Sequence, residues 1–375
     1  MNPSSTFRIA VLPGDGIGPE VMQPCVELLE TAVALVGGFD LSLEWHVAGA
    51  AAFRDTGQAL SAATLAACAT ADAILFGAMG LPHIRYADGT EIAPQLDLRN
   101  EFGLFAGVRP IRSIPGVASP LRSVDTRPID FVIVRESTEG LFASRGKGVI
   151  EDNREARDTM VITRDVSEKL FTFSFELAKQ RAKVGGIGRV TCADKANVFK
   201  SFAFFRQVFD EQAARFPDIK ADHVYIDACS MLMVMRPWQF DVLVTENMFG
   251  DIISDLGAAL IGGMGYAPSG DFGVAHGMFQ PSHGSAPDIA GQDKANPTAM
   301  FLSAAMMLDW LGKRHAQPAA IAAGKLIVQA VDEAFASGAL VTCELGGDAG
   351  TKAVADAVLA ALRVSATVGE TAQNR

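Results

Sequence analysis

The chain has 375 residues, of which 49% are hydrophobic and 20% are charged, so its length allows two or three domains and its composition excludes a disordered chain. The 32 lysines and arginines against 43 aspartates and glutamates leave a formal charge of −11, which disfavours a basic surface for nucleic acid or anionic lipid. The five cysteines form no CxxC pair, and no apolar run reaches the roughly 18 residues of a membrane span. We therefore expect reduced thiols and a cytoplasmic protein that binds neither nucleic acid nor membrane.

Short β-rich segments alternate with helical patterns along the chain. The predicted strands cover residues 7–12, 41–47, 71–76, 129–134, 189–192, 223–226 and 242–245. The predicted helices begin with one at Pro19 and continue with 164–183, 196–216, 251–261, 297–311 and 318–337. This alternation predicts an α/β fold. Residues 262–297 are dense in Gly and Pro, which predicts a largely irregular, functional segment, and the polar tail from residue 365 is expected to fray.

The segment PGDGIGP at residues 13–19 lies between the first predicted strand and the first predicted helix. Its glycines allow the backbone to approach a ligand closely, and the helix start behind them offers free N–H groups to an anion. It does not match the G-x-G-x-x-G dinucleotide fingerprint. A tight turn without a ligand therefore stays open as an equal alternative.

Three arginines are candidates for binding a substrate. Arg99 and Arg109 lie in LRNEFGLFAGVRP, and Arg135 follows the predicted strand 129–134 at its carboxyl end, where ligands of open α/β sheets bind. Because a guanidinium group binds a carboxylate through two hydrogen bonds, three arginines suit a substrate with two carboxylates. The alternative is that Arg99 and Arg109 are surface ion-pair partners.

Asp227, Asp251 and Asp255 are candidates for binding a metal. Asp251 and Asp255 are four residues apart, so both carboxylates lie on one helix face, where their like charges repel. All-oxygen ligands favour Mg²⁺ or Mn²⁺. The alternative is a first helix turn in which acids favour the helix dipole, and this explains Asp251 better than Asp255.

A lysine and a loop are the remaining candidates for functional residues. Lys195 follows the predicted strand 189–192 and is a candidate base, unless it is simply a solvated lysine. The loop HGSAPDIAG at residues 283–291 offers backbone amides and, in Asp288, an acid that suits a ribose diol and repels a 2′-phosphate. An ordinary surface loop is the alternative.

Together and in this order, the motifs LPGDGIGPEV, VRESTEG, DKANV, YIDACSM, FGDIISDLGAALIGGMG and HGSAPDIAG resemble the isocitrate/isopropylmalate dehydrogenase family of metal-dependent β-decarboxylating dehydrogenases. The resemblance covers nearly the whole chain. It implies an isopropylmalate dehydrogenase-like α/β fold in which two domains share a long mixed sheet, with a cleft between them. The large domain would be residues 1–108 and 265–375, with the cofactor loop. The small domain would be residues 109–264, with the dimerisation and metal-binding residues.

The resemblance also implies a role for each candidate. Arg99, Arg109 and Arg135 would hold the carboxylates of a malate, and Lys195 of the partner subunit would be the catalytic base. Asp251 and Asp255 of one subunit, with the catalytic Asp227 of the other, would hold Mg²⁺ or Mn²⁺, so a homodimer with shared active sites is expected. The cofactor would lie against Ile17, Asn197, His283, Gly284, Ser285, Ala286, Asp288, Ile289 and Asn296.

The implied reaction is the oxidative decarboxylation of a 3-isopropylmalate-like 2-hydroxy diacid. NAD⁺ is expected as the oxidant because the branch that uses NADP commonly has Lys-Tyr where Asp288 and Ile289 stand. Two residues depart from the family pattern. Most relatives have a proton-donating tyrosine where Phe142 stands, and Tyr86 and Tyr266 are the aromatic residues considered as substitutes. Oxidation without efficient decarboxylation, or a regulatory subunit of a hetero-oligomer, therefore stays open.

The second departure is Gln95, which stands where isopropylmalate enzymes typically place leucine. An amide suits a polar substituent because a hydrocarbon would leave its hydrogen bonds unmade, at a cost of about 1–3 kcal/mol. Gln95 is therefore a candidate substrate-binding residue. Tartrate, D-malate and an isocitrate-type substrate stay open beside 3-isopropylmalate.

Overall fold

The computed structural model of the protein describes residues 5–121 and 127–373, with residues 366–373 described by their backbone alone. The strands in these residues are β1 (Ser5–Gly14), β2 (Phe39–Trp45), β3 (Ala73–Ala78), β4 (Ala106–Arg112), β5 (Asp130–Glu136), β6 (Val149–Glu151), β7 (Glu155–Arg157), β8 (Arg189–Asp194), β9 (Lys220–Tyr225), β10 (Val242–Thr245), β11 (Pro268–Phe272) and β12 (Gly277–Pro281). The helices are α1 (Gly18–Val36), α2 (Ala50–Thr56), α3 (Ala62–Thr70), α4 (Pro94–Glu101), α5 (Arg164–Ala182), α6 (Lys200–Ala213), α7 (Ile226–Met235), α8 (Asn247–Leu260), α9 (Thr298–Arg314), α10 (Pro318–Phe335) and α11 (Thr351–Gln373).

One long mixed sheet organises the chain. Ten strands pair in the order β2-β1-β3-β12-β11-β4-β5-β10-β8-β9. The pairs β12–β11, β11–β4 and β4–β5 are antiparallel, and the other neighbouring pairs are parallel. This confirms the predicted α/β fold with a long mixed sheet.

Helices cover the sheet because each of them has an apolar face. On one half, α1, α9, α10 and α11 pack on one another, and α9 also packs on β11 and β12. On the other half, α5 and α6 pack on β8, with α5 also on β10. There Phe171 and Phe175 of α5 meet Phe209 of α6. Strand β3 is buried throughout, as the apolar segment 71–76 predicts for a strand covered on both faces.

The centre of the sheet differs from the prediction. Residues 262–297 were expected to be largely irregular, but β11 and β12 form an antiparallel hairpin between β4 and β3. Within this segment, the longest stretch without helix or strand runs from residue 282 to residue 297. A second difference concerns Ile226, which was placed in a strand and instead begins α7. Helix α11 also continues to Gln373, although the tail was expected to fray from residue 365.

The domain boundary stays a prediction. Residues 108 and 109, between which it was placed, both lie within β4, and β4 pairs with β5 across it. No helix in the described part of the chain is long and apolar enough to cross a membrane. The five cysteines are unpaired and four of them are buried, as expected for packed thiols.

Candidate active site

The three arginines predicted to bind substrate line one cleft. The cleft has a volume of about 970 Å³ and receives residues from α4, β4, β5 and the ends of β3 and β12. Arg99, Arg109 and Arg135 are 4%, 7% and 2% exposed. The alternative that Arg99 and Arg109 form ion pairs on the surface is therefore wrong.

These guanidinium groups are only partly neutralised. Nη2 of Arg99 lies 3.2 Å from Oδ2 of Asp271, and Nη1 of Arg109 donates a hydrogen bond to Oγ of Ser282 at 2.8 Å. The Nε atoms of Arg99 and Arg109 are buried without a hydrogen-bond partner. Because a buried unpaired cation is unfavourable, the cleft is suited to bind an anion.

Arg135 is held by α8. Its Nε and Nη2 donate to Oδ1 of Asn247 at 3.0 and 2.7 Å, and its Nη1 pairs with Asp251. Burial, assisted by the charge of Arg99, lowers the pKa of Arg135 to about 10. Burial also lowers the pKa of Arg109. Both pKa values would rise again if an anion occupied the cleft.

Asp271 is a site residue that the sequence analysis missed. It lies on β11, is 0% exposed, and receives a hydrogen bond from Nε2 of Gln280 at 2.7 Å in addition to its contact with Arg99. Its Oδ1 has no partner. The only indication in the sequence was an acidic residue in a short segment that also contains the apolar residues Ala267 and Phe272. The surrounding Gly and Pro residues indicated a loop instead.

Asp251 and Asp255 share one face of α8, as their spacing predicts. The helix begins at Asn247, where the Glu246 carboxylate accepts hydrogen bonds from the N–H groups of Met248 and Phe249. Asp251 therefore lies beyond the first turn, and the alternative based on the helix dipole is wrong. Burial, with the charge of Asp251, raises the pKa of Asp255. Two carboxylates with this unfavourable pairing fit a bound divalent cation.

Lys195 and Asp227 lie together, away from the cleft. Their Nζ and Oδ2 atoms are 2.9 Å apart, because β8 and β9 are neighbours, Lys195 directly follows β8, and Asp227 lies in the first turn of α7, which directly follows β9. The hydrogen bond from Lys195 lowers the pKa of Asp227. Neither residue lines the cleft. Among the residues that the structure describes, no three His, Cys, Asp or Glu side chains come together as a possible metal site.

The predicted cofactor residues fall into three groups. His283 and Gly284 line the cleft. Ile17 and Ser285 join the glycine-rich segment 13–19 to the loop 283–291, since the N–H of Ile17 donates to the carbonyl oxygen of Ser285 at 2.8 Å. Ala286 and Ile289 are half-buried, while Asp288 and, beside Lys195, Asn197 are exposed.

Two of these residues have informative surroundings. Burial lowers the pKa of His283, so the ring is neutral at pH 7. Its Nδ1 lies 2.9 Å from the carbonyl oxygen of Gly284, which assigns the ring hydrogen to Nδ1 and leaves the unpartnered Nε2 as an acceptor. Asn296 already donates to Glu344 at 3.1 Å and accepts from Thr298 at 2.7 Å.

Two residues of the cleft differ from the family pattern. Phe142 lines the cleft, and its ring centroid is 5.1 Å from Cζ of Arg135. Tyr266 is buried with its hydroxyl 2.9 Å from Oγ1 of Thr342, and Tyr86 packs on Phe53. Neither tyrosine lines the cleft. Gln95 lines it one helical turn before Arg99, and its Oε1 is buried without a partner.

Comparison with known proteins identifies the family. The sequence profile described as isocitrate/isopropylmalate dehydrogenase matches residues 8–358. The chain belongs to this family. It is therefore a dehydrogenase of the decarboxylating, hydroxy-acid-oxidising class.

Individual relatives match over almost the whole chain. The 3-isopropylmalate/3-methylmalate dehydrogenase of Methanocaldococcus jannaschii is 41% identical, over 95% of this chain and 99% of its own. The 3-isopropylmalate dehydrogenase of Pseudoalteromonas translucida is 41% identical, over 89% and 92%. Among solved structures, an isocitrate dehydrogenase from Methylococcus capsulatus superposes with a TM-score of 0.83 at 36% identity, over 95% of this chain and 99% of its own. A beta-decarboxylating dehydrogenase from Thermococcus kodakarensis superposes with a TM-score of 0.78 at 35% identity, over 97% and 98%.

Proposed function

We propose that the protein catalyses the NAD⁺-dependent oxidative decarboxylation of a malate substituted at C3, with Mg²⁺ or Mn²⁺, as a homodimer with shared active sites. The observation that carries the proposal is the cleft in which three buried arginines meet Asp251. A 2-hydroxy dicarboxylate supplies the negative charge that these guanidinium groups lack. The relatives' names indicate malates with a substituent at C3 as the substrate class.

Asp251 and Asp255 would hold the divalent cation, and Asp227 of the partner subunit would complete an all-oxygen set of ligands. The pKa of Asp255, raised by burial and by the charge of Asp251, supports this assignment, because a cation would favour the ionised carboxylate against both effects. When bound, such an ion supplies Lewis acidity toward the hydroxyl and the adjacent carboxylate of the substrate. Asp251 would then exchange its contact with Arg135 for the cation and leave Arg135 to the substrate.

The cofactor would lie against the loop that begins at His283. The neutral ring of His283 offers an acceptor at Nε2, and the exposed carboxylate of Asp288 suits a ribose diol and disfavours a 2′-phosphate. NAD⁺ supplies the hydride acceptor. Ile17 and Ser285 would fix this loop on the first glycine-rich segment through their hydrogen bond.

The surface of α7 and α8 supports the homodimer. Met231, Val234 and Met235 are exposed and continue the face of α7 that begins with Asp227, at helical spacing. Ile252 is exposed on α8, three residues before Asp255. An apolar stripe of this kind marks an interaction surface, and in a two-fold dimer it would bring Lys195 and Asp227 of one subunit to the cleft of the other.

The chemistry then follows from the arrangement of these groups. Lys195 of the partner subunit would accept the hydroxyl proton of the substrate while the hydrogen at C2 leaves as hydride. The carboxylate at C3 leaves as CO₂, and the resulting enolate takes a proton at C3. Phe142 cannot donate this proton. A water molecule would serve, or the oxo-diacid would leave without efficient decarboxylation.

The test is a screen of D-malate, tartrate, 3-isopropylmalate and isocitrate with NAD⁺ and Mn²⁺, in which NADH and CO₂ are measured together. We expect NADH from at least one of them and none after chelation of the metal. Equal amounts of NADH and CO₂ would establish decarboxylation, and an excess of NADH would establish release of the oxo-diacid. The absence of NADH with all four diacids would contradict the proposal.

A further inference from the structure

We propose that the C3 substituent of the substrate carries a hydroxyl group and that Gln95 is the residue that recognises it. The inference rests on the proposed function and narrows its substrate class. It concerns the wall of the cleft that is formed by residues 88–96 and Arg145.

Gln95 lies next to the site for the substrate carboxylates. It precedes Arg99 by four residues on α4, so the two side chains emerge on the same face of the helix. Oε1 of Gln95 is buried in the cleft wall and accepts no hydrogen bond. A hydroxyl group can donate to this oxygen, and it can also accept from the amide nitrogen if the amide is turned over. An isopropyl group can do neither.

The neighbouring groups are mainly acceptors. The hydroxyl of Thr90 donates to Oδ1 of Asp88 at 2.7 Å, so the remaining capacity of Thr90 Oγ1 is to accept. Asp88 and Glu91 also line this wall. A substituent with a hydrogen to donate therefore fits better than one that only accepts.

The charge of the wall disfavours a carboxylate substituent. Arg145 of this wall already pairs through Nη1 with Asp97 at 2.9 Å, and Arg157, which also lines the cleft, pairs with Glu151 and Glu155. Asp88 and Glu91 remain as negative charges near the cleft. A third carboxylate, as in isocitrate, would meet these acids without a free cation, whereas a neutral hydroxylated substituent would not.

The experiment compares substrates that differ only at C3. The specificity constant kcat/KM is measured with NAD⁺ and Mn²⁺ for D-malate, tartrate, 3-(hydroxymethyl)malate, 3-isopropylmalate and isocitrate. Calorimetry then measures the binding of the same diacids to the homodimer without NAD⁺. We expect a hydroxylated substrate to exceed both 3-isopropylmalate and isocitrate by about 10-fold or more, in binding as well as in kcat/KM.

Variants of this wall identify the residue responsible. Gln95→Leu should lower the ratio of kcat/KM for the hydroxylated substrate to kcat/KM for 3-isopropylmalate by about 10–100-fold. Gln95→Glu keeps an acceptor at this position and should retain the preference. Asp97→Asn should remove the ion-pair partner of Arg145. It should therefore raise kcat/KM for isocitrate relative to kcat/KM for D-malate by about 3-fold or more.

Two results would overturn the inference: a wild-type preference for D-malate, 3-isopropylmalate or isocitrate, or a ratio that Gln95→Leu leaves unchanged. Either result is compatible with the proposed function, since a malate would still be oxidised. The absence of both binding and NADH formation with every diacid, D-malate included, would contradict the proposed function itself and the inference with it.

Discussion

Nζ of Lys195 lies 2.9 Å from Oδ2 of Asp227, and both side chains lie outside the cleft that contains the three buried arginines of the same chain. The groups proposed for proton transfer and those proposed for substrate binding are thus separate within one subunit. Because Asp227 shares a face of α7 with exposed apolar residues, a two-fold dimer would unite them.

Arg109→Met should abolish activity and stabilise the unliganded enzyme. Arg109 is buried, its Nε has no partner, and burial lowers its pKa. Removal of this cation should raise the free energy of unfolding by about 1 kcal/mol and lower kcat/KM by about 100-fold or more. Urea unfolding and steady-state kinetics measure both effects.

Arg112→Met is the matched control for Arg109. Arg112 lies three residues later on the same strand, where its guanidinium binds both carboxylate oxygens of Asp332 at 2.8 and 2.9 Å. We expect a loss of stability with activity retained. A destabilised Arg109→Met enzyme would show that the buried cation is compensated and would contradict our interpretation of the cleft.

Phe142→Tyr should increase the yield of CO₂. The ring of Phe142 lies in the cleft against Arg135, so a hydroxyl on this ring would be placed among the substrate-binding groups. A positioned acid commonly contributes about 10²–10⁴-fold to a proton-transfer step. We expect the ratio of CO₂ to NADH to rise toward one, or the turnover to rise by about 10-fold if the ratio is already one. No change in either quantity would show that another group donates the proton.

Asp255→Asn should remove the response to metal. In the wild type, Mn²⁺ with D-malate should raise the melting temperature, because a ligand that binds only the folded state stabilises it. Asp255 lies one helical turn after Asp251 on the same face of α8, and its loss should abolish most of this shift. Asp309→Asn, in an exposed ion pair of α9, should keep the shift and is the control. An equal shift in both variants would place the metal elsewhere.

Glu344→Gln tests a hydrogen-bonded acid near the cofactor loop. Burial raises the pKa of Glu344, which accepts hydrogen bonds from Asn296 and from the N–H of Gly265. The folded state therefore favours the protonated form, so the stability that Glu344 contributes is fully present below about pH 4.5 and is lost as the pH rises through the raised pKa.

The melting temperature of the wild type minus that of Glu344→Gln should thus decrease between about pH 4.5 and 8. Glu27→Gln, at an exposed position of α1, is the control for the loss of a surface carboxylate. A Glu344 difference that rises with pH would have the wrong sign for a carboxyl group whose pKa is raised.

The placement of the three arginines, and of Asp251 and Asp255 on one helix face, was predictable because local pattern carries the information. Arg135 comes at the end of an apolar segment that is recognisable as a strand from the sequence. The four-residue spacing of Asp251 and Asp255 implies a shared helix face. The partner of each arginine was not predictable. Asp271 of β11 meets Arg99 of α4 across 172 residues of sequence, and this contact depends on the tertiary fold.

The hairpin at the sheet centre shows the same limit. Pro268 and Pro281 lie opposite each other at the open end of the hairpin. At Gly270, an added Cβ would be 3.0 Å from the Phe272 ring and 3.1 Å from the Phe279 ring. In sequence these residues indicate turns. Here the neighbouring strands β3 and β4 supply the hydrogen bonds, and glycine makes room for two aromatic rings.

The most direct test of the account is activity in mixed dimers of Lys195→Met and Arg109→Met, after each variant alone is shown to be inactive. If each site takes its arginines from one subunit and its lysine from the other, random exchange makes half of the dimers mixed, with one intact site in each. The account predicts recovery of about 25% of wild-type NADH formation. No recovery, although mass spectrometry shows that mixed dimers have formed, would contradict it.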